Sequence, residues 1–369
     1  MRGKILFNGN MGSPSTYLQR IGQFVREARP DGQAPRVLVV TGAWKAGERD
    51  DAPIRAAIEA IGVPADHIDN LEVWHEQQAF LASRPDVAAL TEEVDAATEA
   101  IRTFYVEKTA FHAQRIRAAV SVVRARVPDF QLGLLPTEDR DPLWPESMAT
   151  GREVLVRAVT RDLAHDLRDL VRHDRRMLDA LEEVEDLVCS RTALRFDPDW
   201  NARRIRLEEK VLTADVVLLF GGDPVALLHS LRFYGLKSSL QETLRRGATV
   251  CSISAGSLVL CERVIVYDDF ASDPFRREFR LIDRGLGLVG ALQILPHCAD
   301  RIQTDDPDNL AYLARRFASH ACVGLNEESF LLVDLGVPEV RSVGVHDGVH
   351  VFGPDGVKRE YPAGSVVPI

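Results

Sequence analysis

Residues 248–260 read ATVCSISAGSLVL, in which one apolar run passes through Ser254-Ala255-Gly256 into a second apolar run. The first run predicts a buried strand and the second predicts a helix. Ser254 then lies at a sharp strand-to-helix turn, which exposes its side chain at the carboxyl end of a sheet. The small residues after it suit this geometry, because strand and helix approach each other closely there. Such an elbow holds either a nucleophilic serine or an ordinary turn with a helix-capping serine.

Outward from this elbow, predicted strands and helices alternate. The strands are predicted over residues 4–7, 36–40, 215–220, 248–253, 292–295 and 329–333, and the helices over 16–28, 52–61, 239–246 and 309–318. This alternation is typical of a parallel sheet. The tail, 343–361, contains Asp347-Gly348 and Asp355-Gly356 between short alternating runs and predicts β-hairpins. We therefore predict an α/β hydrolytic domain from residues 1–72 and 211–369, with a doubly wound, mostly parallel sheet and C-terminal β-hairpins.

Residues 73–210 have a different pattern and are rich in Arg, Glu, Asp and Ala. Apolar residues recur every seven positions along one segment: Val156, Leu163, Leu170, Met177 and Val184, with Leu167, Leu181 and Val188 four residues after three of them. This spacing predicts one long helix with an apolar seam, which Thr160 and Asp174 interrupt. A second helix is predicted over 87–127, and prolines between 128 and 147 keep both helices from continuing. We predict that residues 73–210 form a large inserted helical hairpin.

The inserted block contains four histidines, His75, His112, His165 and His173. None has a cysteine or carboxylate at a persuasive metal-ligand spacing, so we expect all of them to be solvated. Phe104 and Tyr105 are adjacent and point in different directions around a helix, which indicates that more than one helix face is covered. This pattern predicts a homodimer to which the insertion contributes.

Composition narrows the class of protein. Of 369 residues, 46% are apolar and 27% charged, as in globular proteins, and the net charge of −10 disfavours nucleic acid and anionic lipid as partners. No run approaches the roughly 18 apolar residues of a membrane span, and the apolar run after the first residues is short for a signal peptide. The five scattered cysteines include no Cys-x-x-Cys pair, which argues against a disulfide framework and a zinc site. We expect a cytoplasmic protein without membrane contact.

Other candidate groups end the predicted strands on the same sheet edge as Ser254. Gly221-Gly222-Asp223-Pro224 follows one strand, and its amides are candidates for an oxyanion hole together with the amide of Ala255. His297 follows another strand and is the candidate base, so a rate that rises with pH near neutrality is expected. A third group must orient that base, and Asp268 or Asp269 is a candidate.

Two further motifs do not predict a metal or a cofactor. His346 and His350 flank the predicted Asp347-Gly348 turn instead of sharing a helix face, so we expect solvated histidines. The Gly-x-Gly-x-x-Gly pattern at 285–290 leads into a predicted strand, whereas dinucleotide binding requires a helix there. The sequence therefore predicts no metal and no cofactor.

The motifs together resemble a known family of serine peptidases. They are Gly-Gly-Asp at 221–223, Ser-Ala-Gly at 254–256, Gly-Leu-Gly-Leu at 285–288, His297 and Gly-Leu-Asn-Glu-Glu at 324–328. The family is typified by dipeptidase E (aspartyl dipeptidase) and cyanophycinase, whose fold is similar to that of class I glutamine amidotransferases with serine in place of the catalytic cysteine. The resemblance covers residues 1–72 and 211–369 and leaves the helical block unexplained.

The resemblance implies a role for each matching residue. Ser254 is the nucleophile, His297 the general base and acid, and Asp269 the third triad member, with Asp268 and Asp273 as rivals for that role. Gly222 and Ala255 form the oxyanion hole. Arg301, four residues after the histidine, matches a substrate-binding arginine, and its planar guanidinium suits a substrate carboxylate; Asp223 is the second candidate for substrate binding. The further arginines of the cyanophycinase pattern are Gln303 and Asp306 here, which disfavours cyanophycin as the substrate.

The function predicted in this way is hydrolysis of a peptide or isopeptide bond in a small substrate, with Asp-containing peptides as one class, through an acyl-enzyme. The alternative is a catalytically silent binding or assembly module that uses the helical insertion. A silent module is expected to have lost one of the serine, histidine and acidic residues, and all three are present. A conventional α/β-hydrolase shares their order, but its histidine usually lies in a late loop, whereas 72 residues follow His297.

Overall fold

The computed structural model describes residues 3–29, 31–135, 151–267, 279–337, 339–344 and 348–369. The strands are β1 Lys4–Asn8, β2 Val37–Val40, β3 Ile68–Asn70, β4 Val216–Leu219, β5 Thr249–Ile253, β6 Arg263–Tyr267, β7 Phe279–Arg284, β8 Leu292–Pro296, β9 Ala321–Leu325, β10 Phe330–Asp334, β11 Val340–Ser342, β12 Val349–Phe352, β13 Lys358–Tyr361 and β14 Val366–Val367. The helices are α1 Pro14–Glu27, α2 Ala52–Ala60, α3 Val73–Ser83, α4 Pro85–Arg124, α5 Gly151–Thr192, α6 Pro198–Thr213, α7 Pro224–Phe233, α8 Lys237–Arg246, α9 Ala255–Leu260, α10 Cys298–Arg301 and α11 Pro307–Arg316. Within the described ranges, no helix is both long enough and apolar enough to cross a membrane.

An eight-stranded sheet forms the centre of the molecule, in the order β14-β11-β10-β1-β5-β4-β2-β3. The five strands from β1 to β3 in this order are parallel, and β10, β11 and β14 extend the sheet with antiparallel pairs. The predicted α/β class with a mostly parallel central sheet is confirmed. Strand β5 lies between β1 and β4 and is therefore a central strand. The elbow that follows β5 has a neighbouring strand on each side.

Helices cover both faces of this sheet because alternate strand residues point to opposite sides. Ile5 and Phe7 pack into a core with α3, α6, α7, α8 and α9. Leu6, between them, packs into a second core with α1 and α2. Four of the helices begin with a capping residue followed by proline: Ser13-Pro14, Asp197-Pro198, Asp223-Pro224 and Asp306-Pro307. In each, the capping oxygen accepts a backbone N–H, and proline needs no N–H at that position.

Two sheet predictions are wrong. The strand before His297, β8, does not join the central sheet; it pairs in parallel with β9 in a four-stranded sheet of order β13-β12-β9-β8. The Asp347-Gly348 dipeptide does not connect a hairpin, because β11 before it pairs with β10 in the central sheet and β12 after it pairs with β9. Residues 345–347 lie outside the described residues. The second predicted hairpin is confirmed: β12 and β13 are antiparallel neighbours on either side of Asp355-Gly356.

The two long helices α4 and α5 pack against each other, as the seven-residue spacing predicts. Leu163, Leu167 and Leu170 of α5 meet Ile116 and Val120 of α4 in a common core. Farther along α5, the apolar seam also packs outside the helical pair. Met177 and Leu181 pack against strand β7 and helix α11. The same seam therefore joins the helical pair and fastens it to the α/β part of the chain.

A buried ion pair explains the acidic residue in this seam. Asp174 is 7% exposed and forms two hydrogen bonds of 2.7 Å with the guanidinium of Arg316, which is 3% exposed. Arg316 also donates to the carbonyl of Phe279 and to the hydroxyl of Tyr312. Asp174 thus finds its partner on α11 and not on α4, which the heptad pattern alone does not indicate.

We expect Asp174→Ala to lower the free energy of unfolding by about 3–5 kcal/mol, because Arg316 would remain buried without its counter-charge. Asp169→Ala is the matched control: Asp169 also pairs with an arginine, Arg172, but both side chains are exposed, and the expected loss is at most about 0.5 kcal/mol. Urea unfolding followed by circular dichroism measures both variants. Equal losses in the two would contradict a role for the buried pair in fastening α5.

The expectation that all four histidines of the inserted block are solvated is wrong for three of them. His165 is exposed, but His112 is buried, and its ring lies 5.0 Å from the partly buried ring of His173 between α4 and α5. Burial, Lys108 and His112 lower the pKa of His173. The Nδ1 atom of His75 lies 2.9 Å from a carboxylate oxygen of the fully buried Glu48. The burial of these histidines depends on which element packs against each helix face.

Candidate active site

Ser254 forms the predicted elbow between β5 and α9. Its backbone has φ +50° and ψ −114°, a combination that non-glycine residues rarely adopt and that marks a strained turn. Its N–H donates to the carbonyl of Asn8 at 3.0 Å, which continues the pairing of β5 with β1 by one residue. Its carbonyl accepts the amides of Ser257 and Leu258 and so begins α9. The strained residue is therefore held on both sides by backbone hydrogen bonds.

Glycines beside the elbow are required by close packing. A Cβ atom at Gly256 would lie 2.4 Å from the carbonyl oxygen of Leu219, and one at Gly221 would lie 2.8 Å from the Cβ of Ser254. Neither contact is sterically allowed, so a side chain at either position would displace Ser254 or the neighbouring strand β4. The same Cβ at Gly221 would lie 3.3 Å from the amide nitrogen of Ala255. The glycine loop, residues 221–223 after β4, therefore borders both the serine and the first amide of α9.

Hydroxyl groups replace the usual glycine beneath the elbow. Ser252, two residues before Ser254, is fully buried, and its Oγ lies 3.0 Å from the Oγ of Ser257. Ser257 in turn donates to the carbonyl of Asn8 at 3.1 Å. The departure at Ser252 is thus accommodated by a hydrogen-bonded pair of hydroxyls under the turn.

His297 brings its imidazole to the serine from the other sheet. It follows β8 in the left-handed conformation, with φ +55° and ψ +36°, and its Nε2 lies 2.9 Å from the Oγ of Ser254. Hydrogen-bond distance to a nucleophilic oxygen is what a general base requires. The expectation that His297 ends a strand of the same sheet is wrong, but the two strand ends meet at one place.

The electrostatic surroundings of His297 keep its imidazole neutral. Burial and the nearby charge of Arg301 lower its pKa to about 4, and Asp300 opposes this effect. This pKa lies below the near-neutral value expected from the sequence. At neutral pH the ring is therefore unprotonated and able to accept the serine proton.

Asn326 holds the turn that carries the histidine. Its Oδ1 accepts the backbone N–H of Ala299 at 2.9 Å and the thiol of Cys298 at 3.2 Å, so it caps the short helix α10 directly after His297. Sequence reasoning missed this role. The only signal was the position of Asn326 inside the 324–328 motif, which says nothing about its contact with α10.

Residues 43–45 hold the glycine loop, residues 221–223, from the opposite side. They lie in the 3₁₀ turn Gly42–Gly47 after β2. The indole Nε1 of Trp44 donates to the carbonyl of Gly221 at 2.8 Å, and the amide of Asp223 donates to the carbonyl of Ala43 at 3.0 Å. Gly222, between these two bonds, has φ +140°, and a Cβ on it would lie 2.7 Å from the Ala43 carbonyl oxygen. The candidate oxyanion donor at Gly222 is thereby fixed by its neighbours.

Lys45 adds an ionic contact to this loop. Its Nζ lies 2.5 Å from an Oδ atom of Asp223, and its own backbone is strained, with φ +55° and ψ −123°. Asp223 also caps α7 by accepting the amides of Val225 and Ala226. Burial opposes ionisation of Asp223, but Lys45 and these amides together lower its pKa. Lys45 was not singled out from the sequence, because no local pattern marks its strained turn.

Of the remaining candidate site residues, Arg301 lies within the described part of the chain and the three aspartates do not. Arg301 ends α10, one helical turn after His297, and its amide donates to the His297 carbonyl at 3.0 Å. Asp268, Asp269 and Asp273 lie outside the described residues, after the end of β6 at Tyr267. Among the described residues, no group of three or more His, Cys, Asp or Glu side chains has the arrangement of a metal site.

Comparison with known proteins supports the same chemistry. Residues 172–336 match the model of Peptidase family S51, a stretch that contains Ser254, His297 and the glycine loop and is somewhat less than half of the chain. No curated protein gives a significant match.

Two solved structures align with all or nearly all of this chain. A peptidase from an acI-B1 actinobacterium is 14% identical with a TM-score of 0.49, and the alignment covers 100% of this chain and 98% of that one. A putative peptidase E protein from Listeria monocytogenes EGD-e is 10% identical with a TM-score of 0.40, over 94% and 100% of the two chains. The family match confirms the resemblance found in the sequence: residues 172–336 are similar to Peptidase family S51, and the chain is a serine-type peptidase.

Proposed function

We propose that the protein cleaves a peptide or isopeptide bond in a small substrate through a Ser-His-Asp triad and an acyl-enzyme, with Asp-containing dipeptides as the first class to test. The observation that carries this proposal is the 2.9 Å contact between the Oγ of Ser254 and the Nε2 of His297 at a strained elbow. A neutral imidazole in this position activates a serine hydroxyl.

The proposed reaction has two halves. Ser254 Oγ attacks the substrate carbonyl while His297 Nε2 takes the hydroxyl proton, and the amides of Gly222 and Ala255 stabilise the oxyanion. The C–N bond then breaks as His297 gives its proton to the leaving amine, which leaves an ester on Ser254. In the second half a water molecule loses a proton to His297 and attacks this ester. The acid product leaves, and the proton returns to Ser254.

Substrate selection is assigned to the two charged residues that flank this centre. We propose that the Arg301 guanidinium binds a substrate carboxylate and that Asp223, the last residue of the glycine loop, binds or orients the substrate amine. The placement of Arg301 one turn after His297 supports the first assignment. Because Asp223 already pairs with Lys45, a substrate amine would have to share or displace that contact.

A fluorophosphonate probe tests the nucleophile without knowledge of the substrate. We expect covalent labelling at Ser254, identified by peptide mass spectrometry, followed by hydrolysis in a screen of dipeptides with an acidic residue on either side of the bond. A protein that reacts with neither the probe nor any peptide would instead fit the silent binding module.

The third triad member is proposed to be Asp269. We expect Asp269→Asn to lower kcat by roughly 10³–10⁴-fold, because an amide cannot hold the imidazole in the required tautomer. Asp268→Asn and Asp273→Asn are the matched controls and are expected to lower kcat much less. Steady-state kinetics on all three variants checks the order, and the opposite ranking would assign the role to a neighbouring aspartate.

We further propose a homodimer in the cytoplasm. The cysteines at positions 251, 261, 298 and 322 are buried thiols, which supports a reducing compartment. The inserted helices of residues 73–210 are proposed to provide the dimer contact.

A further inference from the structure

Helix α4 has an apolar face that packs against nothing described within its own chain. The side toward α5 is buried and includes Val94, Ile116 and Val120. Another side of α4 has six apolar residues whose positions differ by three, four or seven. This spacing places them on one stripe along the helix. We call these six residues the outer face: Ala97, Ala100, Phe104, Phe111, Ala118 and Val122.

The outer face is apolar and solvent-exposed at its largest side chains. Phe104 is 56% exposed, Phe111 is 58% exposed and Val122 is 60% exposed. The Lys108 ammonium lies 4.9 Å from the centre of the Phe104 ring, and the Arg115 guanidinium lies 5.9 Å from that of Phe111. Two exposed phenyl rings two turns apart on a long helix, flanked by alanines, are typical of a helix-packing surface and not of a solvated face.

We propose that the outer face binds the outer face of a second copy of this chain, with the two α4 helices antiparallel about a two-fold axis between Glu107 and Lys108. Four of the six outer-face residues match in pairs at equal distance from this point, whereas Ala100 lies opposite Arg115 and Val122 opposite Glu93 of the other copy. Phe104 of one copy meets Phe111 of the other, and Ala97 of one copy meets Ala118 of the other. An isologous contact requires this self-complementarity.

Charge favours the antiparallel direction. At the axis, Glu107 of each copy meets Lys108 of the other, which gives two opposite-charge contacts. Over the whole helix, residues 85–103 contain five acidic residues and one arginine, whereas residues 104–124 contain four basic residues and one glutamate. An antiparallel pair places the acidic half beside the basic half of its partner, and a parallel pair would place like charges together.

This inference specifies the surface of the homodimer proposed above and does not depend on the catalytic assignment. Light scattering and sedimentation velocity at micromolar concentration are expected to give a dimer for the full chain. Phe104→Glu combined with Phe111→Glu is expected to weaken self-association by at least roughly 30-fold, because two acidic groups would enter the centre of the contact. Phe196→Glu changes a phenylalanine that is 85% exposed, lies outside the outer face and ends the 3₁₀ turn Leu194–Phe196 after α5, and is expected to leave the dimer intact.

The direction of the pair is tested by charge reversal. Glu107→Lys alone and Lys108→Glu alone each place like charges at the axis, so each variant is expected to self-associate weakly. An equimolar mixture of the two single variants is expected to form heterodimers, because one copy then has two lysines and the other two glutamates at the axis. A monomeric parent protein, or a dimer unaffected by the double phenylalanine change, would overturn the proposed surface. Failure of the mixed variants to associate would overturn the antiparallel register, and circular dichroism of every variant verifies its folding.

Discussion

Ser254→Ala is expected to lower kcat by roughly 10⁴-fold or more and to abolish labelling by the fluorophosphonate. The variant removes only the Oγ atom that is proposed to attack the carbonyl and leaves the elbow unchanged, because the backbone bonds to Asn8, Ser257 and Leu258 do not involve the side chain. Its thermal midpoint should therefore match that of the parent protein. Kinetics on the best dipeptide from the screen and a thermal melt measure both quantities.

Ser257→Ala is the control for this experiment. Its hydroxyl lies under the same elbow and donates to the Asn8 carbonyl, so its loss is expected to lower the free energy of unfolding by about 1–2 kcal/mol. Labelling of Ser254 should persist in this variant. A Ser254→Ala protein that keeps most of its activity would show that another group attacks the substrate.

His297→Ala is expected to reduce kcat by a similar factor, because no other described side chain lies within hydrogen-bond distance of the Ser254 Oγ. Labelling of Ser254 is expected to slow in parallel, since the probe also requires an activated hydroxyl. Undiminished labelling of the variant would remove His297 from the mechanism even if its turnover were low.

The pH dependence follows from the charge state of the same ring. Only the neutral imidazole accepts the serine proton, so kcat/KM is expected to rise with pH as His297 loses its proton. Since burial and Arg301 lower the pKa of His297 to about 4, the acid limb should lie well below neutrality.

Two charged neighbours of His297 allow this prediction to be tested by shifts of the acid limb in opposite directions. Arg301→Gln removes a charge that disfavours protonation and is expected to move the acid limb of kcat/KM upward. Asp300→Asn removes a charge that favours protonation and is expected to move it downward. A limb that stays at one pH in both variants would have to be assigned to a group other than His297.

Much of the fold was predictable because its signals are local. The strands of the central sheet are short, continuous apolar runs, and the elbow is a strand, a serine, two small residues and a helix within thirteen consecutive positions, 248–260. The long helices were recognisable from a seven-residue spacing along one segment. In each case the residues that decide the structure lie within a few turns of one another, so neighbouring side chains and backbone geometry are sufficient.

What the sequence did not determine depends on contacts between distant segments. Four such features join residues that are far apart in the chain. Strand β8 belongs to a second sheet, and residues 43–45 hold the glycine loop. Asn326 caps α10, and Asp174 is buried against Arg316. The sequence by itself indicated a serine peptidase and its candidate residues, whereas the burial, pairing and protonation of those residues were decided by the tertiary structure. The physical reason is that desolvation and ion pairing depend on the groups that folding brings within a few ångströms, and no local pattern encodes those neighbours.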